Sequence, residues 1–237
     1  MSISATQKSY KTYQSNGIKS YHEQIYGGVS PRGYLMIANR RAAKLQTHIL
    51  ETDSVLEYGI GPGWNLACIK AKRRKGYDIA PAMRPFVEAQ GIEFATEITR
   101  QDLTRFDVVI CSHVLEHLLN PSEALTTIID CMKPDGKALL YVPFDAGRRF
   151  KKYNPDEPNH HLYAWNVQSF ANFIALHDLT IVEYKLRPFG YERIAAIWVE
   201  RLNLPNWMYS ILISVALWLR PTYEINFIVT KTDGVST

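Results

Sequence analysis

The chain has 237 residues, enough for one α/β domain with a modest addition, and 46% are hydrophobic, which excludes an intrinsically disordered polymer. A formal charge of +4 and a pI near 8.8 are mildly basic, short of the pI above ~9 that marks a dedicated nucleic-acid domain. Cys68, Cys111 and Cys131 are odd in number and widely spaced, so they exclude a disulfide framework or a zinc ribbon and read as small core hydrophobes of a cytoplasmic protein.

Residues 1–20 read as a polar arm without a signal-peptide run, and 21–237 as one domain. Tyr21–Tyr26 suits a short helix, and Gly33–Ile49 a longer one with apolar faces. Strands and helices then alternate. Ser54–Tyr58 is a strand followed by a Gly-rich turn and a short helix near Asn65–Ala71. Lys75–Ile79 is a second strand, Pro81–Ala89 a helix, and Ile92–Ala95 a weak third strand. Phe106–Cys111 (FDVVIC) is apolar enough to be buried on both faces, as central parallel strands are. Pro121 opens a helix through Met132, where its missing N–H costs nothing; Lys133–Gly136 is a turn and Ala138–Val142 a fifth strand. Asn166 caps a helix through Leu176, Thr180–Lys185 is a sixth strand and Tyr223–Thr230 the last. The order implies a Rossmann-like, doubly wound, seven-stranded, mostly parallel sheet with an antiparallel last strand, and a helical insertion over 186–221.

The first strand runs into Glu57-Tyr58-Gly59-Ile60-Gly61-Pro62-Gly63, glycines that permit a tight turn and close ligand approach at a strand end. A dinucleotide fingerprint requires a third Gly at Trp64 or Leu66, and there is none. Glu57 suits a carboxylate facing a cationic ligand rather than a pyrophosphate. Asp78, about twenty residues past the first Gly, sits where an acidic side chain takes both hydroxyls of a ribose; the alternative is a helix N-cap before Pro81.

These stretches together resemble the class I S-adenosylmethionine-dependent methyltransferases, in their small-molecule branch. VLEYGIGPG is similar to the family's first motif and GYDIAPAM to its second; FDVVICSHVLEHLLNP and MKPDGKALLYVP are similar to the fourth and fifth. The likeness covers roughly Ser54–Phe144, with a looser echo in His161–Phe173. It implies methyl transfer from S-adenosylmethionine, leaving S-adenosylhomocysteine. It also implies that Glu57 holds the cofactor's amino-acid end, Gly59, Gly61 and Gly63 its floor, and Asp78 with Ile79 the ribose region, while Ser112 lies beneath the reacting centre. The family's acidic residue after the third strand is not evident here; Glu97 and Asp102 both stand near its place.

His113-Val114-Leu115-Glu116-His117 matches the H-x-x-E-H zinc pattern, but it follows directly on a buried strand and ends at Asn120-Pro121. A loop is expected there, and no metal. His113 and His161 are the candidate general bases, His161 with the alternative of a solvated or capping role; His117 reads as a structural partner of nearby backbone. Lys70–Lys75 reads as the solvated back of the first helix. Arg148, Arg149, Lys151 and Lys152 lie on the rim where open α/β sheets bind ligands, either attracting an anionic acceptor or simply solvated. Ile194, Ile197, Trp198 and Leu202 form one helical face, and Asn206–Leu219 is apolar nearly all round. That segment would roof an acceptor pocket, join a homodimer, or lie peripherally on a membrane. The expected acceptor is a small molecule, anionic or apolar or lipid-linked, methylated on O or N. Rival readings are a non-catalytic cofactor-binding or scaffold protein and a dinucleotide oxidoreductase. A nucleic-acid methyltransferase is disfavoured, because Ser112–Leu115 lacks an aromatic base-clamping motif.

Overall fold

The computed structural model describes residues 28–145, 153 and 159–232. The expected N-terminal arm, the Tyr21–Tyr26 helix and the basic cluster at Arg148–Lys152 lie outside the described residues. Seven strands, β1 (Ser54–Tyr58), β2 (Arg73–Tyr77), β3 (Glu93–Ala95), β4 (Phe106–Ser112), β5 (Met132–Pro143), β6 (Leu179–Pro188) and β7 (Tyr223–Lys231), form one sheet in the order β3-β2-β1-β4-β5-β7-β6. The first five are mutually parallel, and β7 runs antiparallel to both β5 and β6, as expected of the Rossmann-like doubly wound class. The helices are α1 (Pro31–Leu45), α2 (Arg84–Glu88), α3 (Pro121–Cys131), α4 (Val167–Ala175), α5 (Glu192–Arg201) and α6 (Met208–Leu219).

Two cores sandwich the sheet because its central strands are apolar on both faces. On one face, Phe106, Val109 and Leu140 pack with Leu125 and Ile128 of α3 and Phe170 and Ile174 of α4. On the other, Val55, Val108, Ile110 and Leu139 pack with Ala42 and Leu45 of α1 and Val87 of α2. Cys111 and Cys131 are buried and Cys68 half-buried, all with free thiols.

Four local expectations are corrected. Asn65–Ala71 is a series of turns rather than a helix, because its carbonyls are taken elsewhere: Arg74 Nη1 donates to Leu66 O and Ala67 O, and Gln46 Nε2 to Lys70 O. The second strand starts two residues earlier than its apolar pattern suggests. Its basic residues are therefore not a solvated helix back: Arg73 pairs with Glu93, and Lys75 Nζ donates to buried Asp102 at 2.5 Å. The Lys133–Gly136 turn is folded into β5, where it loops out as the partner of Phe106 and Val108 jumps from Met132 to Lys137. Helix α5 buries Ala195, Ala196 and Val199 and leaves the bulky Ile194, Trp198 and Leu202 exposed. Small residues win because α5 approaches the Gly33 turn of α1 closely; a Cβ on Gly33 would stand 3.4 Å from Ala196 Cβ.

Helix α6 buries only Tyr209 and Ile213, against Met36 and Ile37 of α1 and the α5 face, and leaves Ile211, Val215, Trp218 and Leu219 exposed. Among the described residues no helix is long and apolar enough to cross a membrane.

The glycine turn packs directly on β2: a Cβ at Gly76 would sit 2.2 Å from Ile60 Cδ1 and 2.7 Å from Ile60 Cγ2. Gly76→Ala is expected to cost about 1–3 kcal/mol in urea unfolding through this overpacking. Combining it with Ile60→Ala should recover part of that loss, and strictly additive costs of the two substitutions would refute the contact.

Candidate functional site

The site forms at the carboxyl edge of the sheet, where strand order reverses between β1 and β4 and open α/β sheets leave a ligand crevice. The turn after β1 is held by β2: Gly59 N and Ile60 N both donate to Tyr77 O, at 2.7 and 3.0 Å. Gly59 (φ 78°) and Gly63 (φ 85°) lie in the left-handed region, and a Cβ on Gly59 would stand 2.3 Å from Val114 Cγ2. Only glycine fits there, so the backbone itself forms the floor.

Two carboxylates flank this floor. Glu57 is 1% exposed; Asn65 Nδ2 donates to its Oε1 at 2.5 Å, and its Oε2 is buried without a hydrogen-bond partner. Burial pushes its pKa up to about 8, against the opposing pull of Asn65 and Arg41. A buried carboxylate with an unmatched oxygen beside a strand-end crevice is suited to a ligand cation. Asp78, also buried, accepts Gly61 N through Oδ2 at 2.8 Å and Ala80 N through Oδ1 at 2.9 Å. It is not the expected helix cap, since the turn at Pro81 has Ala80 as its N-cap with no side-chain bond; it ties two turns together, and each oxygen keeps a second lone pair for a ligand hydroxyl. Ile79 and Ser112 are half-buried at the ends of β2 and β4. Asp102 is engaged by Lys75 and by the Thr99 N–H and hydroxyl, and Glu97 is exposed, so neither carboxylate is held in the crevice.

His113 follows β4 in a left-handed conformation (φ 57°), its N–H donating to Tyr141 O. Its Nε2 donates to Glu224 Oε2 at 3.2 Å, and its ring stacks on Phe189 with centroids 4.5 Å apart. Glu224 is 1% exposed. Burial opposes its ionisation, but the Lys44 ammonium at 2.6 Å and His113 outweigh burial and hold it at about 2. Beside this group opens a cavity of about 570 Å³ lined by Arg40, Arg41, Lys44, Arg187, Phe189 and Glu224 among others. Arg41 joins the cavity to the carboxylate floor: its Nε donates to Glu192 Oε2, its Nη1 to Asn65 Oδ1 at 3.4 Å, and its guanidinium lies over the Trp64 ring.

His161 stands apart from His113's cavity wall. Its Nδ1 bonds Asp145 Oδ2 at 3.1 Å and its ring meets His117 edge-on. His117 is buried; desolvation, then the neighbouring His161 and His113, push its pKa down to about 3, so it is neutral at ordinary pH.

Lys44, Arg41, Phe189 and Glu224 belong to the site but carry no local signal. The Lys44–Glu224 pair spans 180 positions, and Glu224 lies in what reads simply as the last strand. Asn65 alone was in reach, as a polar residue inside an otherwise apolar turn.

A model of the methyltransferase domain matches residues 30–184. No curated protein matches the chain. Among solved structures, a coclaurine N-methyltransferase bound to N-methylheliamine and S-adenosylhomocysteine superposes with a TM-score of 0.62 at 13% identity, covering 95% of this chain and 86% of its own. The 1,6-didemethyltoxoflavin-N1-methyltransferase of Burkholderia thailandensis, bound to its substrate and S-adenosylhomocysteine, gives 0.60 at 17% identity, covering 98% and 93%. The [4+2]-cyclase SpnF gives 0.58 at 12% identity, covering 85% and 81%, so this fold also carries other chemistry. The domain match spans more than half of the 237 residues, and with the strand order and glycine turn described above, the chain belongs to the methyltransferase domain family.

Proposed function

We propose that this protein is an S-adenosylmethionine-dependent methyltransferase acting on an oxygen or nitrogen of a small-molecule acceptor that carries an anionic group. The observation that carries the reading is Glu57: a fully buried carboxylate with one unmatched oxygen, beside a floor that only glycine can form. A cofactor with an ammonium, a sulfonium and a ribose diol, and no phosphate, matches that floor. Both methyltransferases compared above were crystallised with S-adenosylhomocysteine.

In this reading Glu57 takes the ammonium and Asp78 the ribose hydroxyls, with Ile79 and Ser112 lining the pocket between them. The bound cofactor supplies a methyl group on an already activated sulfur leaving group. The protein's work is therefore alignment and exclusion of water. His113 serves as general base: with Nε2–H donated to ionised Glu224, Nδ1 keeps its lone pair, and Glu224 stabilises the imidazolium once a proton arrives. The cavity's four cationic side chains, Arg40, Arg41, Lys44 and Arg187, outnumber Glu192 and Glu224 and suit a carboxylate or phosphate on the acceptor. His161, held by Asp145, is not needed for this step.

Calorimetry should show binding of S-adenosylmethionine and S-adenosylhomocysteine but not of NAD. Asp78→Ala is expected to weaken cofactor binding by about 1–3 kcal/mol, as the loss of a charge-assisted hydrogen bond does. It should also lower the melting temperature, since Gly61 N and Ala80 N lose their acceptor. A lower melting temperature with unchanged affinity would make Asp78 a tie between the two turns and nothing more.

Glu57 makes a second, proton-linked prediction. Its folded pKa, about 8, lies above the usual carboxylate value, so its contribution to stability is greatest at acid pH and is lost as pH rises toward 8. An ammonium beside it reverses the preference. Binding of S-adenosylmethionine at pH 7 should therefore release close to one proton, read as a dependence of binding heat on buffer ionisation enthalpy. Glu57→Gln should abolish that dependence. Heats identical in phosphate and Tris would contradict the assignment.

A further inference from the structure

The loop after β4 carries a second group of side chains for which methyl transfer has no use. Glu116 is 0% exposed, and both of its carboxylate oxygens are buried without a hydrogen-bond partner. Leaving a charged group buried and unmatched costs more than any ordinary hydrogen bond returns. Burial raises the pKa of Glu116, so either a proton or a bound cation neutralises it.

The neighbours are imidazoles. One ligand atom each from Glu116, His117 and His161 can be chosen so that all three lie within 4.8 Å of one another. His117 Nε2 stands 3.8 Å from Glu116 Oε1, too far for a hydrogen bond. Two donors each about 2.1 Å from a tetrahedral ion sit roughly 3.4 Å apart, so small side-chain rotations close the set. The supporting contacts are in place. Asp145 Oδ2 takes Nδ1–H of His161 at 3.1 Å, which fixes the tautomer with the lone pair on Nε2. The backbone at Asn159 and His160 bonds the His117 ring. Glu116 O accepts from Leu162 N at 2.7 Å and Tyr163 N at 3.1 Å, clamping the segment that bears His161 onto the loop that bears the other two. The His161 side chain is partly exposed, giving an ion a way in.

We propose that Glu116, His117 and His161 form a binding site for a divalent first-row transition-metal ion. Two imidazoles and one carboxylate suit Zn²⁺, Mn²⁺ or Fe²⁺; Mg²⁺ and Ca²⁺ prefer all-oxygen sets. The set differs from the zinc-protease spacing, in which His113 and His117 would be paired; here His113 is turned to Glu224 instead. Three protein ligands leave at least one coordination position for water or another oxygen donor.

The test uses the whole chain, stripped of metal with a chelator, titrated with Zn²⁺ and with Mn²⁺ by calorimetry without S-adenosylmethionine, so the outcome stands apart from the methyl-transfer reading. Binding of one equivalent of either ion, with a visible ligand-field spectrum on Co²⁺ substitution, is expected. Glu116→Gln and His161→Ala should each weaken binding at least 100-fold, and Asp145→Asn about 10- to 100-fold, as outer ligand partners do. His48→Ala, in the turn after α1 and remote from the loop after β4, should change nothing. Circular dichroism identifies any variant that fails to fold, and the partly exposed His161 keeps the test sound if the Glu116 variant does. No saturable binding of either ion, or binding equal in wild type, Glu116→Gln and His161→Ala, overturns the proposal.

Discussion

Asp78 holds the two turns of the strand-end crevice in register. Its two oxygens accept from Gly61 on the turn after β1 and from Ala80 on the turn after β2. Parallel strands end with backbone N–H groups that their neighbours cannot satisfy, and a crevice at that edge must stay open. One buried carboxylate meets both needs: it matches two amides and still presents lone pairs to whatever enters. The Tyr77 carbonyl reinforces the link by accepting from Gly59 and Ile60. The floor is thus rigid before any ligand arrives, which limits what binding must spend on ordering.

From that floor a continuous polar chain leads outward. Glu57 meets Asn65, Asn65 meets Arg41, and Arg41 meets Glu192 at the head of α5. Lys44, one turn further along α1, reaches Glu224 on β7, and Glu224 reaches His113. One helix therefore carries the cations that set the charge of both the crevice and the cavity. Its own position is fixed from its N-terminus, where Ser30 and Gly33 N donate to Glu200 and Arg32 donates to Leu204 O and Asn206. The polar ties explain how α5 and α6 hold their places while burying so little apolar surface.

The sheet was largely legible in the sequence because parallel central strands advertise themselves: FDVVIC cannot be exposed on either side. The glycine turn was legible for a related reason, since Gly59 and Gly63 occupy backbone conformations that side chains resist. The second strand was displaced because Arg73, Arg74 and Lys75 look solvated, yet each finds an acceptor across the sheet edge. Which face α5 buries was not legible. Helical periodicity identifies an apolar face but cannot say that a neighbour's glycine will favour the face made of alanines. Glu224 and Lys44 were beyond reach altogether, since only the folded chain brings residues 180 positions apart together.

The loop after β4 shows how one backbone choice serves two ends. A chain leaving a buried strand normally continues in extended geometry. At His113 it turns instead through a left-handed conformation, tolerated because its N–H is tied to Tyr141 O. The turn sends the His113 ring sideways to Phe189 and Glu224, at the cavity. The next short helical turn, Leu115–His117, carries Glu116 and His117 inward toward His161. Without the reversal, His113 and His117 would lie on one helical face, as the H-x-x-E-H spacing requires of a zinc protease. With it, the four polar side chains are divided: one imidazole turns toward Phe189 and Glu224 beside the cavity, and a carboxylate with two imidazoles is gathered behind it. His113 Nδ1 remains 3.6 Å from Glu116 Oε1. The two groups are therefore electrostatic neighbours, and any charge placed among Glu116, His117 and His161 must be felt by the imidazole beside the cavity.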